Sequence, residues 1–546
     1  MLLKSFEALP VIAGLTGVSI HALLYRHGEW DTKAPAVVIN YAIISAILIS
    51  VEYLGILEKS DIPTTPNWSL RLVAYHLLGV YSSMAFYRGA LHRLNKFPGP
   101  FLARLSNFYV TFLSAKNFRL YEETQKLHKR YGDYVRIGPT ELSISDPAAV
   151  KLIYSSQAKT QKGPWYNCIE PRVSLQTDRD KASHARRRKT WDQGFSSQAL
   201  RDYEPRVVHY TAQLMQAIEK GLNEPMNMTK WFNLYSIDVM GDLSFGRSFD
   251  MLADNEDKYF LNQLHADMKM IGLFSHLMWL FPFFKRIPGI NADYLKFWGW
   301  LDNNVQNRIK NPPSRPDVFS WLLKSFEQGA KTEQDHHNLH GDTYLISVAG
   351  SDTTAATLTN LFFELVKDPQ LQKSLQSELD ALPNISTDQL TGLKFLDAII
   401  NETLRMHPIG ETYIPGDVMV AVPMHALFRG IAIRVTLISV SSLIFDMNYT
   451  DDRAFEYPNE FRPERWTTKP ELVKDASVFI PFGAGPYVCV GKQLALMEIR
   501  RVTAEILTRY DVSFVSGFSE TSFWNGKRDA FTLVAAPMEL TFKRRN

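Results

Sequence analysis

The run Phe482-Gly-Ala-Gly-Pro-Tyr-Val-Cys489-Val-Gly491 constrains this chain more than any other stretch. Its glycines, Gly483, Gly485 and Gly491, allow tight turns and a close approach of backbone to a flat partner. The residues that follow, from Lys492 to Leu507, are strong helix formers with helical apolar spacing. Cys489 therefore stands at a helix N-terminus, where free amides and the helix dipole favour an anionic sulfur. A lone intracellular cysteine commonly packs as a small hydrophobe. The thiol by itself leaves both readings open, filler and ligand; the glycine spacing and the helix behind it favour the ligand.

Other segments carry their own chemistry. A helix from about His340 to Val366 explains the apolar spacing of Leu345, Val348, Leu358, Leu361, Phe362 and Leu365. Its centre, Ala349-Gly-Ser-Asp-Thr-Thr354, is rich in poor helix formers, and threonine hydroxyls bend helices by bonding one turn back. A bent, polar notch is expected there. In Glu402-Thr-Leu-Arg405 the two charges share a helical face. In His184-Ala-Arg-Arg-Arg188-Lys-Thr-Trp191, His184 and Arg188 also share a face. Phe97-Pro-Gly-Pro100 is a rigid hinge. Tyr131–Gly138 and Glu141–Ser145 read as short alternating strands with a turn between them.

Taken together and in order, with Phe461-Arg-Pro-Glu-Arg-Trp466, these motifs closely resemble the cytochrome P-450 family over roughly residues 95–546. The resemblance implies a mainly α fold with a smaller β region and a bound haem whose iron is held by the Cys489 thiolate. Phe482, Gly485 and Gly491 would shape the loop around the haem. Asp352 and Thr353 would relay protons to the oxygen site. His184 and Arg188 would hold the haem propionates, with Trp191 as a further candidate and Arg186 and Arg187 left as a solvated face. Glu402, Arg405 and Arg465 would form a structural network bracing the cysteine loop.

Three apolar stretches precede the hinge: Val11–Tyr25, Ala36–Leu57 (interrupted by Asn40 and Glu52) and Leu72–Leu91. A spanning helix needs about 20 mostly apolar residues, which favours the second and third over the first. Residues 1–95 are thus expected to form a membrane anchor of two or three helices, and 96–546 the catalytic domain. Arg93, Lys96 and Arg104 after the last stretch place that domain on the cytosolic side; eukaryotic members of the family usually sit in the endoplasmic reticulum membrane. The chain has two cysteines, too few for a disulfide framework, and Cys168 reads as an inert filler. A net charge of +3 with no arginine-rich aromatic stripe gives no sign of nucleic-acid binding. Lys492, Arg500 and Arg501 form a candidate docking face for an acidic redox partner. The segment Phe274–Phe284 suits either the bilayer surface or the core.

Two features depart from the family pattern. Tyr487 stands where most relatives carry an arginine that pairs with a propionate; tyrosine brings a hydrogen bond and no charge. The chain also runs from Met406-His-Pro-Ile-Gly410 straight into Glu411-Thr-Tyr-Ile-Pro-Gly416, without the usual pocket-lining connection. An apolar, β-branched run, Gly430–Thr450, then separates Arg429 from Asp451. A skipped coding piece and a translated intron would account for both, and the sequence of the mature message decides the matter.

The function implied is a membrane-bound monooxygenase that inserts one atom of dioxygen into an apolar small molecule. Electrons would come from an NADPH-dependent flavoprotein reductase, since the chain carries no dinucleotide motif. Lys162-Gly-Pro-Trp-Tyr166 and the His184 tract resemble fungal members of secondary metabolism. Two rival readings are a reductase-independent haem isomerase or dehydratase, which Asp352-Thr353 argues against, and a non-catalytic haem protein, favoured if the 410–450 region is genuine.

Overall fold

The computed structural model describes residues 2–57, 65–155, 158, 160–254, 259–408, 419–421, 453–530 and 532–545. The expected anomaly between Gly410 and Thr450 falls almost entirely outside them. Among the described residues the chain is mainly helical, with three small sheets.

The N-terminal region forms three helices, α1 (Leu2–Ile20), α2 (Ala34–Tyr53) and α3 (Trp68–Phe86). Among the described residues, two segments are long and apolar enough to cross a membrane, Ala8–Tyr25 and Asp31–Tyr53. The order of merit thus differs from the sequence expectation. The first stretch gains length because helix continues upstream through Pro10, whereas the third carries Arg71 and His76 and packs along α1. Glycines bring those backbones together: a Cβ on Gly79 would lie 2.0 Å from the Gly14 carbonyl oxygen, and one on Gly17 2.1 Å from that of His76. Polar side chains cross the same interface. His76 meets Thr16 Oγ1 and Tyr41 OH, each at 3.0 Å. Glu52, an apparent blemish in α2, accepts the Trp68 and Ser69 amides at 3.0 and 3.2 Å and so satisfies free donors at the start of α3. Val11, Leu15, Ile39, Ile43, Ile47 and Leu78 point outward and exposed.

The hinge joins the sheet directly. Strands β1 (Tyr134–Arg136) and β2 (Glu141–Ile144) pair antiparallel, and the Arg136 amide donates to Pro98 O at 2.7 Å. Gly99, at φ +156, has no room for a Cβ against Arg136. The expected alternation fails in β2, where all four residues are buried. It is the central strand between β1 and a later strand, Met419–Ala421, and Glu141 is sheltered by a 2.7 Å bond to His276 Nδ1. That histidine belongs to the aromatic segment 274–284, which divides its loyalties: Leu277, Met278 and Pro282 are buried, and Trp279 is exposed beside the α2 entrance.

Six further helices position the site: α4 (Lys181–Gly194), α5 (Met228–Phe245), α6 (Tyr259–Phe274), α7 (Glu333–Lys367), α8 (Lys394–Met406) and α9 (Lys492–Arg509). Helix α7 starts earlier than its apolar spacing suggests because Thr332 and Asp335 form a capping box. It then runs unbroken through Ala349–Thr354. Ser347, Ser351, Thr353, Thr357 and Thr359 each donate to a carbonyl four residues back, which satisfies the hydroxyls without ending the helix. Gly350 has a packing role: a Cβ there would lie 2.4 Å from Met240 Sδ on α5. The core is built around this contact. Leu358, Leu361, Phe362, Phe363 and Leu365 are fully buried, each contributing about 1.5–3 kcal/mol by burial.

Candidate functional site

The cysteine loop is held by its own backbone. The Cys489 amide donates to Phe482 O at 2.8 Å, and the Gly483 amide to Ile480 O at 2.8 Å. Gly483 and Gly485 adopt left-handed φ values of +72 and +64. Gly485 also abuts Tyr154, whose carbonyl oxygen would lie 1.9 Å from an added Cβ. Gly491 differs from the expectation. It caps α9 at φ −80, and a Cβ there would meet only ordinary contacts at 3.8 and 3.9 Å. Its position matters more than its freedom, because the Gly491 and Lys492 amides lie at the Cys489 sulfur.

Cys489 keeps accessible surface yet lies among dense protein, as a group lining a recess does. Burial pushes its thiol up, while the Gly491 and Lys492 amides and the nearby Arg188 and Lys492 charges pull it down. At Cys168 burial outweighs the Lys285 charge and the local Cys168 and Ile169 amides that pull the other way, and pushes the thiol up to about 12, consistent with an inert filler.

Helix α4 passes beside the loop. Arg188 Nη1 donates to Val488 O at 2.6 Å, one residue before the cysteine, and its Nε to Asp192 at 2.7 Å. His184 is buried with its ring edge on the Tyr487 ring, centroids 4.7 Å apart. Burial, then the Lys162 charge, lowers His184 to about 4, so it is neutral near pH 7. Trp191 is buried and stacks on Phe195. Arg187 corrects the sequence reading. Its side chain is largely enclosed and donates to Asp342 at 2.7 Å, Val173 O at 2.8 Å and Asp178 at 3.2 Å, clamping α4 to α7. Its anionic partner, Asp342, lies 155 residues away along the chain.

Glu402, Arg405 and Arg465 converge as expected. Glu402 Oε1 accepts from Arg405 Nη2 at 2.7 Å and Arg465 Nε at 2.9 Å. Sequence reasoning missed two members: the Arg462 amide reaches Oε1, and Trp466 Nε1 reaches Oε2, both at 2.8 Å. Spare guanidinium donors bind the Pro458, Glu460 and Glu456 carbonyls. All three charged side chains are essentially fully buried.

On α7, Thr353 Oγ1 donates to Ala349 O at 2.6 Å. Asp352 is buried; its Oδ1 meets His265 Nε2 of α6 at 3.3 Å, and its Oδ2 has no partner among the described residues. The proposed docking face is weaker than its sequence suggests. Arg500 turns inward onto Asp397 at 2.7 Å, and Arg501 onto Glu505 at 2.7 Å.

A cytochrome P450 family profile matches residues 98–542. The chain belongs to the cytochrome P450 family. A P450 monooxygenase, orf5 of Eupenicillium brefeldianum, is 48% identical over 497 residues, covering 88% of this chain and 97% of its own length. The P450 monooxygenase FCK2 of Fusarium pseudograminearum is 43% identical, covering 97% and 96%. Tryprostatin B 6-hydroxylase of Aspergillus fumigatus is 34% identical, covering 98% and 96%. The crystal structure of the cytochrome P450DA heme domain superposes with a TM-score of 0.65 at 17% identity, over 82% of this chain and 98% of that one, and shares its fold. This P450 is accordingly a monooxygenase, an oxidoreductase that requires a redox partner and carries haem.

The residues at the loop of this P450 fit that group. The Gly485 cradle has no space for a side chain. His184 is buried, and its ring makes no side-chain hydrogen bond among the described residues; Arg188 has Nη2 uncommitted there. These are donors suited to the carboxylates at a porphyrin edge. The geometry also separates the glycines of the P450 loop. Gly485→Ala combines a left-handed φ with a backbone clash, so less than about a tenth of the wild-type haem content is expected in the purified protein. Gly491→Ala is expected to keep most of it. Equal haem-to-protein ratios in the two variants would contradict this reading.

Proposed function

We propose that this P450 is a membrane-bound haem-thiolate monooxygenase acting on an apolar small molecule, with the Cys489 thiolate as the group that would hold the haem iron. The observation that carries the assignment is the cysteine sulfur at the α9 N-terminus, served by the Gly491 and Lys492 amides. Burial raises the free thiol on balance, and those amides and the helix dipole act against it by stabilising the anionic sulfur that an iron ligand needs. When bound, haem supplies dioxygen activation, placing one oxygen atom in the substrate and releasing the other as water.

The chain's own residues have separate tasks. Phe482 and Gly485 shape the loop, and Arg188 braces it through Val488 O. His184 and Arg188 would hold the propionates. Glu402, Arg405 and Arg465 keep the segment before the loop in place. Asp352 passes protons inward: it is buried, one oxygen meets His265 and the other is uncommitted. Thr353, its hydroxyl hydrogen given to Ala349 O, offers an acceptor to a proton-carrying water.

Membrane attachment is supported by the two long apolar helices and their outward-facing side chains. Exposed Trp279 lies in the aromatic run beside the α2 entrance, and exposed Ile287, Ile290 and Leu295 lie in the segment that follows it. An apolar substrate dissolved in the bilayer would reach the enzyme there. The positive charges after α3 favour a cytosol-facing catalytic domain in the endoplasmic reticulum membrane. An NADPH-dependent flavoprotein reductase is the electron source. The fungal relatives, a tryprostatin B hydroxylase among them, support oxygenation in secondary-metabolite biosynthesis.

The test is turnover of a panel of polycyclic natural products in vesicles containing the reductase. Oxygenated product should require NADPH, and Asp352→Asn should cut its rate at least about 100-fold, the lower end of the range for a lost general acid. Product formed equally well without reductase and NADPH would overturn the assignment.

A further inference from the structure

Lys162 is 5% exposed, and among the described residues no carboxylate lies within hydrogen-bond reach of its ammonium. Its Nζ donates to two backbone carbonyls, Leu175 O at 3.2 Å and Gln176 O at 2.6 Å. It also faces two aromatic rings, Tyr487 at 4.6 Å and Tyr166 at 5.3 Å from the centroids. The carboxylate it feels electrostatically is Asp178. That group is already occupied, with Oδ2 on Arg187 and Ser183 Oγ and Oδ1 on the Asp180 amide. Burial lowers the ammonium to about 7. A buried charge without an ionic partner is costly, and a nearby anion relieves that cost.

Its place in the site suggests which anion. Tyr487 stands in the cysteine loop, two residues before Cys489. The tyrosine ring is touched on one side by Lys162 and on another by the His184 edge. A cation thus lies beside the loop, supplied from a segment more than 300 residues earlier, facing the Tyr487 ring and next to His184, which the reading above assigns to a propionate.

We infer that Lys162, positioned by Tyr487, supplies the positive charge that holds a haem propionate in this P450. The inference rests on the haem-thiolate reading above. Lys162 is a positioning residue for the cofactor and takes no part in the chemistry. The same arrangement gives the Lys162-Gly-Pro-Trp-Tyr166 tract a purpose. Pro164 starts a short helical turn after Gly163, and Tyr166 closes over the lysine from the same segment.

The experiment uses full-length protein and follows haem transfer to excess apomyoglobin. Lys162→Gln keeps N–H donors for the Leu175 and Gln176 carbonyls on a slightly shorter side chain and removes the charge. It is expected to release haem about 10-fold faster, the size of one lost charge-assisted hydrogen bond. Lys162→Arg should stay within about 2-fold of wild type, since the charge is retained. Adding Tyr487→Arg to Lys162→Gln should restore slow release. Reconstitution with haem dimethyl ester, whose propionates carry no charge, should erase the difference between wild type and Lys162→Gln. Wild-type release from Lys162→Gln, or a difference that persists with the diester, overturns the inference. Should Lys162→Gln not accumulate, Lys162→Met carries the same expectations. The reduced, carbon-monoxide-bound spectrum of the wild type separates the two levels. Without a thiolate band the reading beneath fails; with the band and a charge-insensitive position 162, only this inference fails.

Discussion

Cys489→Ala is expected to abolish the thiolate-type band of the reduced, carbon-monoxide-bound protein and to lower turnover more than about 100-fold, or roughly 2.7 kcal/mol. The fold should survive. The substitution removes one sulfur atom and leaves the backbone bond from residue 489 to Phe482 O and the left-handed turns at Gly483 and Gly485 untouched. Circular dichroism should therefore match the wild type. A filler cysteine would behave in the opposite way, leaving the band in place at some small cost in stability. Cys168→Ala provides that comparison, since Cys168 is buried and unreactive. A thiolate band persisting in Cys489→Ala would remove this residue from the site.

Glu402→Gln should cost about 3–5 kcal/mol of stability, because it leaves two buried guanidiniums without their carboxylate. The side chain of Glu402 receives Arg405, Arg465, Trp466 and the Arg462 amide. Glutamine occupies the same volume, and its amide nitrogen turns one acceptor into a donor facing donors. The midpoint of urea unfolding should fall accordingly, and haem content should fall with it, since the Arg465 segment leads into the cysteine loop. Glu460→Gln offers the contrast. Its carboxylate is more than half exposed beside Arg462, so a change below about 1 kcal/mol is expected. Comparable midpoints for the two variants would show that the network does not brace the domain.

Legibility in the sequence tracked distance along the chain. The Cys489 loop, the α9 helix and the α7 segment were readable because turn glycines, helix formers and apolar spacing act within a few residues. Even there the reasons differed in part. Gly350 looked like a helix breaker and proves to be a packing requirement against Met240. Gly491 looked like a conformational requirement and proves to be an ordinary N-terminal position. Arg187 and Arg501 carried no local sign of burial. Arg187 needs Asp342 and Asp178 to enter the protein, and Arg501 needs the Ile385 carbonyl as well as Glu505. Trp466 was visible as a residue of its motif, yet nothing local announced its bond to a glutamate 64 positions away. Glu52 was read as an interruption, and its purpose as a cap lies on the next helix.

Membership of the P450 family, the turns of the cysteine loop and the presence of long apolar N-terminal helices were determined by the sequence itself. Each depends on short-range rules of spacing and composition. The tertiary structure alone decided which charges are buried and with whom: Arg187 between two aspartates, Glu402 among four donors, Lys162 against the Tyr487 ring. A charge leaves water only when partners from distant segments replace its hydration, and those partners become neighbours only once the chain has folded.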